Sequence, residues 1–186
     1  MKKFIYKFLV LIIITIMIIP GFLIAIIIKC TSNGPIIHWS KRVGKDNKLF
    51  LMPKFRTMSI NTPDVATHLL INQEKHIGNF GSLLRRSSLD EIPQLYSILI
   101  GHMNFIGPRP ALFNQYDLIN LRTENLIHKL KPGITGWAQV NGRDNITMNE
   151  KISLEMFYLK KKSFKLDVYI IFLTVISVVS KKNINH

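Results

Sequence analysis

Asp90 and Glu91 stand side by side in Leu84-Arg85-Arg86-Ser87-Ser88-Leu89-Asp90-Glu91-Ile92-Pro93-Gln94-Leu95. The chain has only 11 acidic residues against 25 lysines and arginines, so a carboxylate pair just after two arginines stands out. A carboxylate can attack phosphorus and carry an acyl-phosphate intermediate. A second carboxylate can hold Mg²⁺, which keeps most of its waters and bridges phosphate oxygens. Guanidinium groups clamp phosphate oxygens with a planar fork, and Arg85, Arg86, Arg109 and Arg143 are available for this. Neighbours on a helix point ~100° apart, so Asp90 and Glu91 can serve different functions, one facing phosphorus and one facing metal. The inventory suffices for phosphoryl transfer, which relies on positioning and charge neutralisation. A plainer reading also fits: Ser88-Leu89-Asp90-Glu91 matches a Ser-x-x-Glu capping box at a helix N-terminus. On local pattern alone the cap is the commoner meaning.

The elements that must position these residues begin with an apolar run from Phe8 to Ile28, 21 residues interrupted only by Thr15, Pro20 and Gly21. That matches the ~20 residues a helix needs to cross a bilayer. It exceeds the usual core of a signal peptide, and no small-x-small cleavage site follows. Pro20 predicts a kink, because proline removes a backbone donor and clashes with the preceding turn. Lys2, Lys3 and Lys7 precede the run, and Lys29, Lys41 and Arg42 follow it. With both flanks basic, charge bias sets no clear orientation. A helix that bends at Pro20 and returns to one face fits, and so does a kinked single span. The net charge of +14 calls for an anionic partner: nucleic acid, anionic lipid head groups or a phosphorylated small molecule. The single Cys30 excludes an intramolecular disulfide framework and a four-cysteine zinc site. The sequence has no P-loop and no dinucleotide fingerprint, and its six histidines lack metal-ligand spacing.

Further along, Ile36–Trp39 and Leu49–Met52 flank the turn cluster Gly44-Lys45-Asp46-Asn47 and predict a hairpin. Residues Val65–His76 read as a helix. Ile92–Ile100 reads as another, kinked or started late by Pro93. Gly107-Pro108-Arg109-Pro110 can be neither regular helix nor strand and reads as a rigid turn presenting Arg109. A helix is expected from about Leu112 to Leu130, ended by Lys131-Pro132-Gly133. Ile134–Arg143 reads as extended or looped. Val168–Ser180 is almost wholly apolar but too short to span. Lys160, Lys161, Lys162 and Lys165 precede it and Lys181 and Lys182 follow, which suits a helix at the bilayer interface. A core helix is the competing reading.

Four segments occur in order: Lys54-Phe55-Arg56-Thr57-Met58, Ser88-Leu89-Asp90-Glu91-Ile92-Pro93-Gln94-Leu95, Gly107-Pro108-Arg109-Pro110, and Pro132-Gly133-Ile134-Thr135-Gly136-Trp137-Ala138-Gln139-Val140-Asn141-Gly142-Arg143. One alone is a weak signal. Together they closely resemble the bacterial sugar transferase family, the small monotopic polyprenyl-phosphate phosphoglycosyl transferases that begin glycan assembly on a lipid carrier. The similarity runs from the apolar N-terminal segment to about Thr174.

The resemblance implies an enzyme that moves a sugar 1-phosphate from a UDP-sugar to undecaprenyl phosphate and releases UMP. It implies that Asp90 attacks the β-phosphorus to give a sugar-phosphoryl aspartate, that Glu91 sits with Mg²⁺, and that the lipid phosphate then displaces the aspartate. Arg85 would hold phosphate, Arg109, Gly142 and Arg143 would belong to the substrate site, and Lys54 and Arg56 would form a basic pair near the membrane. The implied architecture is α+β and mainly helical, with a small β-hairpin and amphipathic interfacial helices around a cytoplasmic catalytic site. Residues 1–29 would be a membrane-embedded helix, re-entrant at Pro20 (or a single span), and residues 30–186 a cytosolic, membrane-associated catalytic domain. The implied location is the bacterial cytoplasmic membrane, with membrane lipids as partners and no nucleic acid. Some positions depart from the family pattern. Ile19 stands where a serine often precedes the bend proline, and Gly101-His102-Met103-Asn104 where many members have Gly-Asp-Met-Ser. Glu155 stands where an aspartate usually precedes the tyrosine, here Tyr158. Two readings without this chemistry compete: an inactive relative that scaffolds a membrane complex, and a basic membrane-anchored binding protein.

Overall fold

The computed structural model describes residues 2–60, 62, 77–142 and 146–179. The helix expected over Val65–His76 lies outside them, as does Arg143. Among the described residues the architecture is α+β and mainly helical, with a long apolar N-terminal helix and two small two-stranded sheets. Two compact units are formed. One comprises the described residues through Ser40 together with Met52–Gly101, the other Lys41–Leu51 with the described residues from His102 onward. This division follows packing, whereas the one expected at residue 29 follows the membrane.

In the first unit, helix α1 (Lys2–Thr31) runs unbroken through Pro20. At 1.5 Å per residue it is about 45 Å long, more than a hydrocarbon core of about 30 Å requires. Ile16, Ile19, Phe22, Leu23 and Ile27 are exposed, and an apolar surface of this extent fits lipid rather than water. The hydroxyls of Thr15 and Thr31 need no water, since Thr15 Oγ1 donates to Leu11 O at 3.0 Å and Thr31 Oγ1 to Ile27 O at 2.7 Å. The C-terminal half is tied to the rest of the unit. Ile24 and Ile28 are buried with Phe55 and Leu84, and Ile36, Ile37, Phe80 and Ile92 pack around them.

The expected hairpin is present. Strands β1 (Ile37–Val43) and β2 (Leu49–Phe55) pair across a 3-10 turn, Lys45–Asn47. Asp46 and Asn47 take left-handed backbone conformations, which short side chains of this kind tolerate. Gly44 N donates to Lys48 O at 2.8 Å and closes the turn. Helix α2 (Asn79–Arg86) and helix α3 (Gln94–Leu99) belong to the first unit. Helix α3 starts just after Pro93, where proline's missing donor costs no helical bond.

The second unit holds strands β3 (Asn104–Ile106) and β4 (Gly133–Thr135), paired in parallel with Asn104 opposite Gly133 and Ile106 opposite Thr135. Past this register the chains touch backbone to backbone. A Cβ on Gly107 would strike Lys131 O, and one on Gly136 would strike Gly107 O. The Gly107-Pro108-Arg109-Pro110 segment is neither helix nor strand, as expected, with Gly107, Pro108 and Pro110 buried.

The helix expected over Leu112–Leu130 is shorter, α4 (Tyr116–Glu124). Leu126 turns left-handed at φ 60° and a 3-10 turn, Ile127–Lys129, follows. Burial accounts for the break: Leu126 is left exposed so that Ile127 reaches the core formed by Ala111, Leu118 and Ile152. The stretch after β4, expected to be extended or looped, contains a short helix, α5 (Trp137–Val140). Helix α6 (Met148–Lys161) starts at a complete capping box, with Glu150 N donating to Thr147 Oγ1 and Thr147 N to Glu150 Oε2. That backbone hydrogen bond holds the Glu150 carboxyl below its usual range. The apolar C-terminal segment forms α7 (Phe164–Val179). Only Ile170 is buried among its described side chains, so it is not a core helix.

Candidate active site

The carboxylate pair sits on a short turn between α2 and α3. Ser88 takes a left-handed conformation, φ 56° and ψ 16°, and a 3-10 turn, Leu89–Glu91, follows. This corrects the capping-box reading of Ser88–Glu91. A capping residue needs extended dihedrals and a side-chain bond to the first turn, and the Ser88 side chain makes none. A non-glycine residue held left-handed costs on the order of 1 kcal/mol. The sharp turn buries both Asp90 and Glu91 while Leu89 stays exposed.

Instead of reaching back to a cap, Glu91 meets a cation. Lys54 Nζ, on β2, lies 2.9 Å from Glu91 Oε1, with side chains 16% and 10% exposed. Charges this withdrawn from water are stable only when paired. The same strand end also fixes α2. Gly81 lies against the Thr57 backbone, where a Cβ would strike the Thr57 carbonyl oxygen. One turn on, Arg85 Nε donates to Thr57 Oγ1 at 2.8 Å. Thr57 is not among the candidate residues named above; its only sign in the sequence is its place inside the Lys54–Met58 motif.

The other candidates separate. Arg56 is buried and attached to the end of α1, its Nη2 donating to Ser32 O at 3.2 Å and Ser32 Oγ at 2.7 Å. A guanidinium there also suits the negative end of the helix dipole. Arg86 is exposed. Arg109 and Gly142 belong to the second unit and are half-buried there. His102 is exposed and sets its ring edge-on to Phe50, centroids 5.5 Å apart. Glu155 is buried in a two-point ion pair, with Arg122 Nε 2.8 Å from Oε2 and Nη2 2.5 Å from Oε1, which gives this acid a structural role. Tyr158 donates to Asp167 Oδ1 at 2.7 Å. Burial first, then that hydrogen bond and the Asp167 charge, push its phenol above the ordinary range.

Among the described residues no group of three or more His, Cys, Asp or Glu side chains forms a metal cage. The donor set at Asp90 and Glu91 is two carboxylates. That suits Mg²⁺, which binds through one or two carboxylates and completes its shell with waters and substrate phosphates.

An exposed apolar helix and, in the same unit, a buried carboxylate–lysine pair define a membrane-associated protein with a charged site. The bacterial sugar transferase family model matches residues 1–181. A UDP-glucose:undecaprenyl-phosphate glucose-1-phosphate transferase of Xanthomonas campestris pv. campestris is 39% identical over 171 residues, covering 86% of this chain and 34% of that protein. An uncharacterized sugar transferase of Bacillus subtilis is 37% identical over 160 residues, covering 85% of this chain and 77% of that protein. A UDP-N-acetylgalactosamine-undecaprenyl-phosphate N-acetylgalactosaminephosphotransferase of Aeromonas hydrophila is 34% identical over 157 residues, covering 81% and 37%. This chain belongs to the bacterial sugar transferase family. It spans about a third of the length of the Xanthomonas and Aeromonas relatives.

Proposed function

We propose that the chain transfers a sugar 1-phosphate from a UDP-sugar to undecaprenyl phosphate and releases UMP, the first membrane step of a bacterial glycan. The observation that carries this is the buried Asp90–Glu91 pair, with Lys54 on Glu91, in the same unit as the apolar helix α1. The relatives' names support the substrate classes, and they differ in the sugar.

In the first step an Asp90 carboxylate oxygen attacks the β-phosphorus. The bond from that phosphorus to the bridging oxygen breaks, and UMP leaves with the electron pair. A phosphate oxygen of the lipid then attacks the same phosphorus, the bond to Asp90 breaks, and the carboxylate is restored. Glu91 would hold Mg²⁺, which when bound neutralises diphosphate charge. Lys54 and Arg85 would bind the phosphate oxygens. Arg109, Gly142 and Arg143 contribute to substrate binding in the family pattern. Arg56 serves the site by fastening α1 to the strand that bears Lys54. Helix α1 embeds in the cytoplasmic membrane, α7 lies at its interface, and the site faces the cytoplasm, where nucleotide sugars are made.

The test is UMP release by the purified chain with Mg²⁺, undecaprenyl phosphate and a panel of UDP-sugars. Release that disappears in Asp90→Asn is the expected result. A folded protein that releases no UMP from any sugar would overturn the proposal and leave a scaffold or a binding protein.

A further inference from the structure

Asp90, Gln94 and Ser97 fall at i, i+4 and i+7 along one helical path, because Ile92 and Pro93 between the turn and α3 both have right-handed helical dihedrals. The three are 7%, 1% and 0% exposed. Leu89, Tyr96 and Ile100, on other faces, are 37%, 51% and 45% exposed. The buried side of the helix thus carries polar groups beside the buried Leu95 and Ile98, while other apolar groups face outward. Within the inner stripe, Gln94 Nε2 and Ser97 Oγ are fully buried and have no hydrogen-bond partner among the described residues.

Buried polar groups are nearly always satisfied, and those that are not need a reason. If Gln94 and Ser97 only filled space, apolar side chains of the same shape would do so at no cost or with a gain. Residues three and four apart on a helix have Cβ atoms about 5–6 Å apart. One water bonded to two such side chains spans a gap of about that size. Buried waters commonly join groups of this kind, with about three hydrogen bonds each. Asp90, Gln94 and Ser97 are spaced for such a chain.

We propose that Gln94 and Ser97 are positioning residues for Asp90: through ordered water they hold its carboxylate in the orientation that attacks phosphorus. This rests on Asp90 being the nucleophile. A nucleophile whose carboxylate swings freely loses rate, and a displacement of about 1 Å can cost on the order of 100-fold.

The experiment follows the sugar-phosphoryl adduct by intact mass in single turnover. It uses the full chain in detergent with Mg²⁺ and a panel of UDP-glucose, UDP-galactose, UDP-N-acetylglucosamine and UDP-N-acetylgalactosamine. Gln94→Met and Ser97→Ala are each expected to slow adduct formation on the order of 10- to 100-fold. The UDP-sugar concentration for half-maximal rate should stay within about twofold. Both variants should stay folded and melt close to the wild-type temperature, since each substitution nearly conserves the side chain's volume. The double variant should be no slower than the slower single one, as expected of residues acting as a unit. Variants that form adduct at the wild-type rate overturn this inference alone. So does a loss of rate that tracks a lowered melting temperature. A wild-type chain that forms no adduct overturns the functional reading, and this inference with it.

Discussion

Lys54 Nζ sits 2.9 Å from Glu91 Oε1, across 37 residues of sequence, and both side chains are largely withdrawn from solvent. In this arrangement a lysine occupies the carboxylate proposed to hold a divalent cation. Removing the lysine leaves Glu91 buried and takes that cation from it. Lys54→Met should therefore destabilise the protein by about 3 kcal/mol. Mg²⁺ should raise the melting temperature of Lys54→Met more than that of wild type, because the cation no longer competes with an ammonium group. Equal shifts in a thermal melt would place the metal elsewhere.

Asp90→Asn keeps the shape of the side chain and removes the nucleophilic charge. UMP release should fall by at least about 10³-fold, the scale of losing a covalent nucleophile. Intact mass spectrometry should find no sugar-phosphate adduct. A variant that still accumulates the adduct would remove Asp90 from the chemistry.

Gly81→Ala tests how α2 is seated. The new methyl would strike the Thr57 carbonyl oxygen, which is backbone and has little room to yield. Overpacking of this kind costs about 1–3 kcal/mol. It also moves Arg85 off Thr57, so activity per folded molecule should fall as well. Gly78→Ala, at a position with open space around its Cβ, is the control and should do neither.

Tyr158 makes stability depend on alkaline pH. Its folded phenol titrates above the unfolded value of about 10. The folded state therefore holds a proton that the unfolded state gives up. That contribution is complete below about pH 10 and is lost as pH rises toward the folded value. Denaturant unfolding between pH 9 and 11 should show stability falling through this window, and Tyr158→Phe should flatten the slope. A variant with an unchanged slope would assign the alkaline loss to other groups.

Some of the fold was readable because its determinants are local. The apolar run of α1, the turn residues of the hairpin and the late start of α3 after Pro93 each depend on neighbours in sequence. Helix α4 was harder. Its pattern continues past Glu124, and only the demand for Ile127 in a core shared with Leu118 and Ile152 makes Leu126 break it. Lys54 and Arg56 look alike as a basic pair two residues apart. Their different surroundings send one to Glu91 and the other to Ser32. His102 and Glu155, both departures from the family pattern, pack on Phe50 and Arg122.

By itself the sequence determined the long apolar helix, the family and the presence of a carboxylate pair. Hydrophobic length, motif order and adjacency are properties of the chain before it folds. Only the tertiary structure decided what Glu91 does. A capping box and a buried, ion-paired carboxylate share the letters Ser-x-x-Glu. The left-handed turn at Ser88 and the arrival of Lys54 from β2 select the second, because a buried carboxylate must find a partner and Lys54 comes to it from far along the chain.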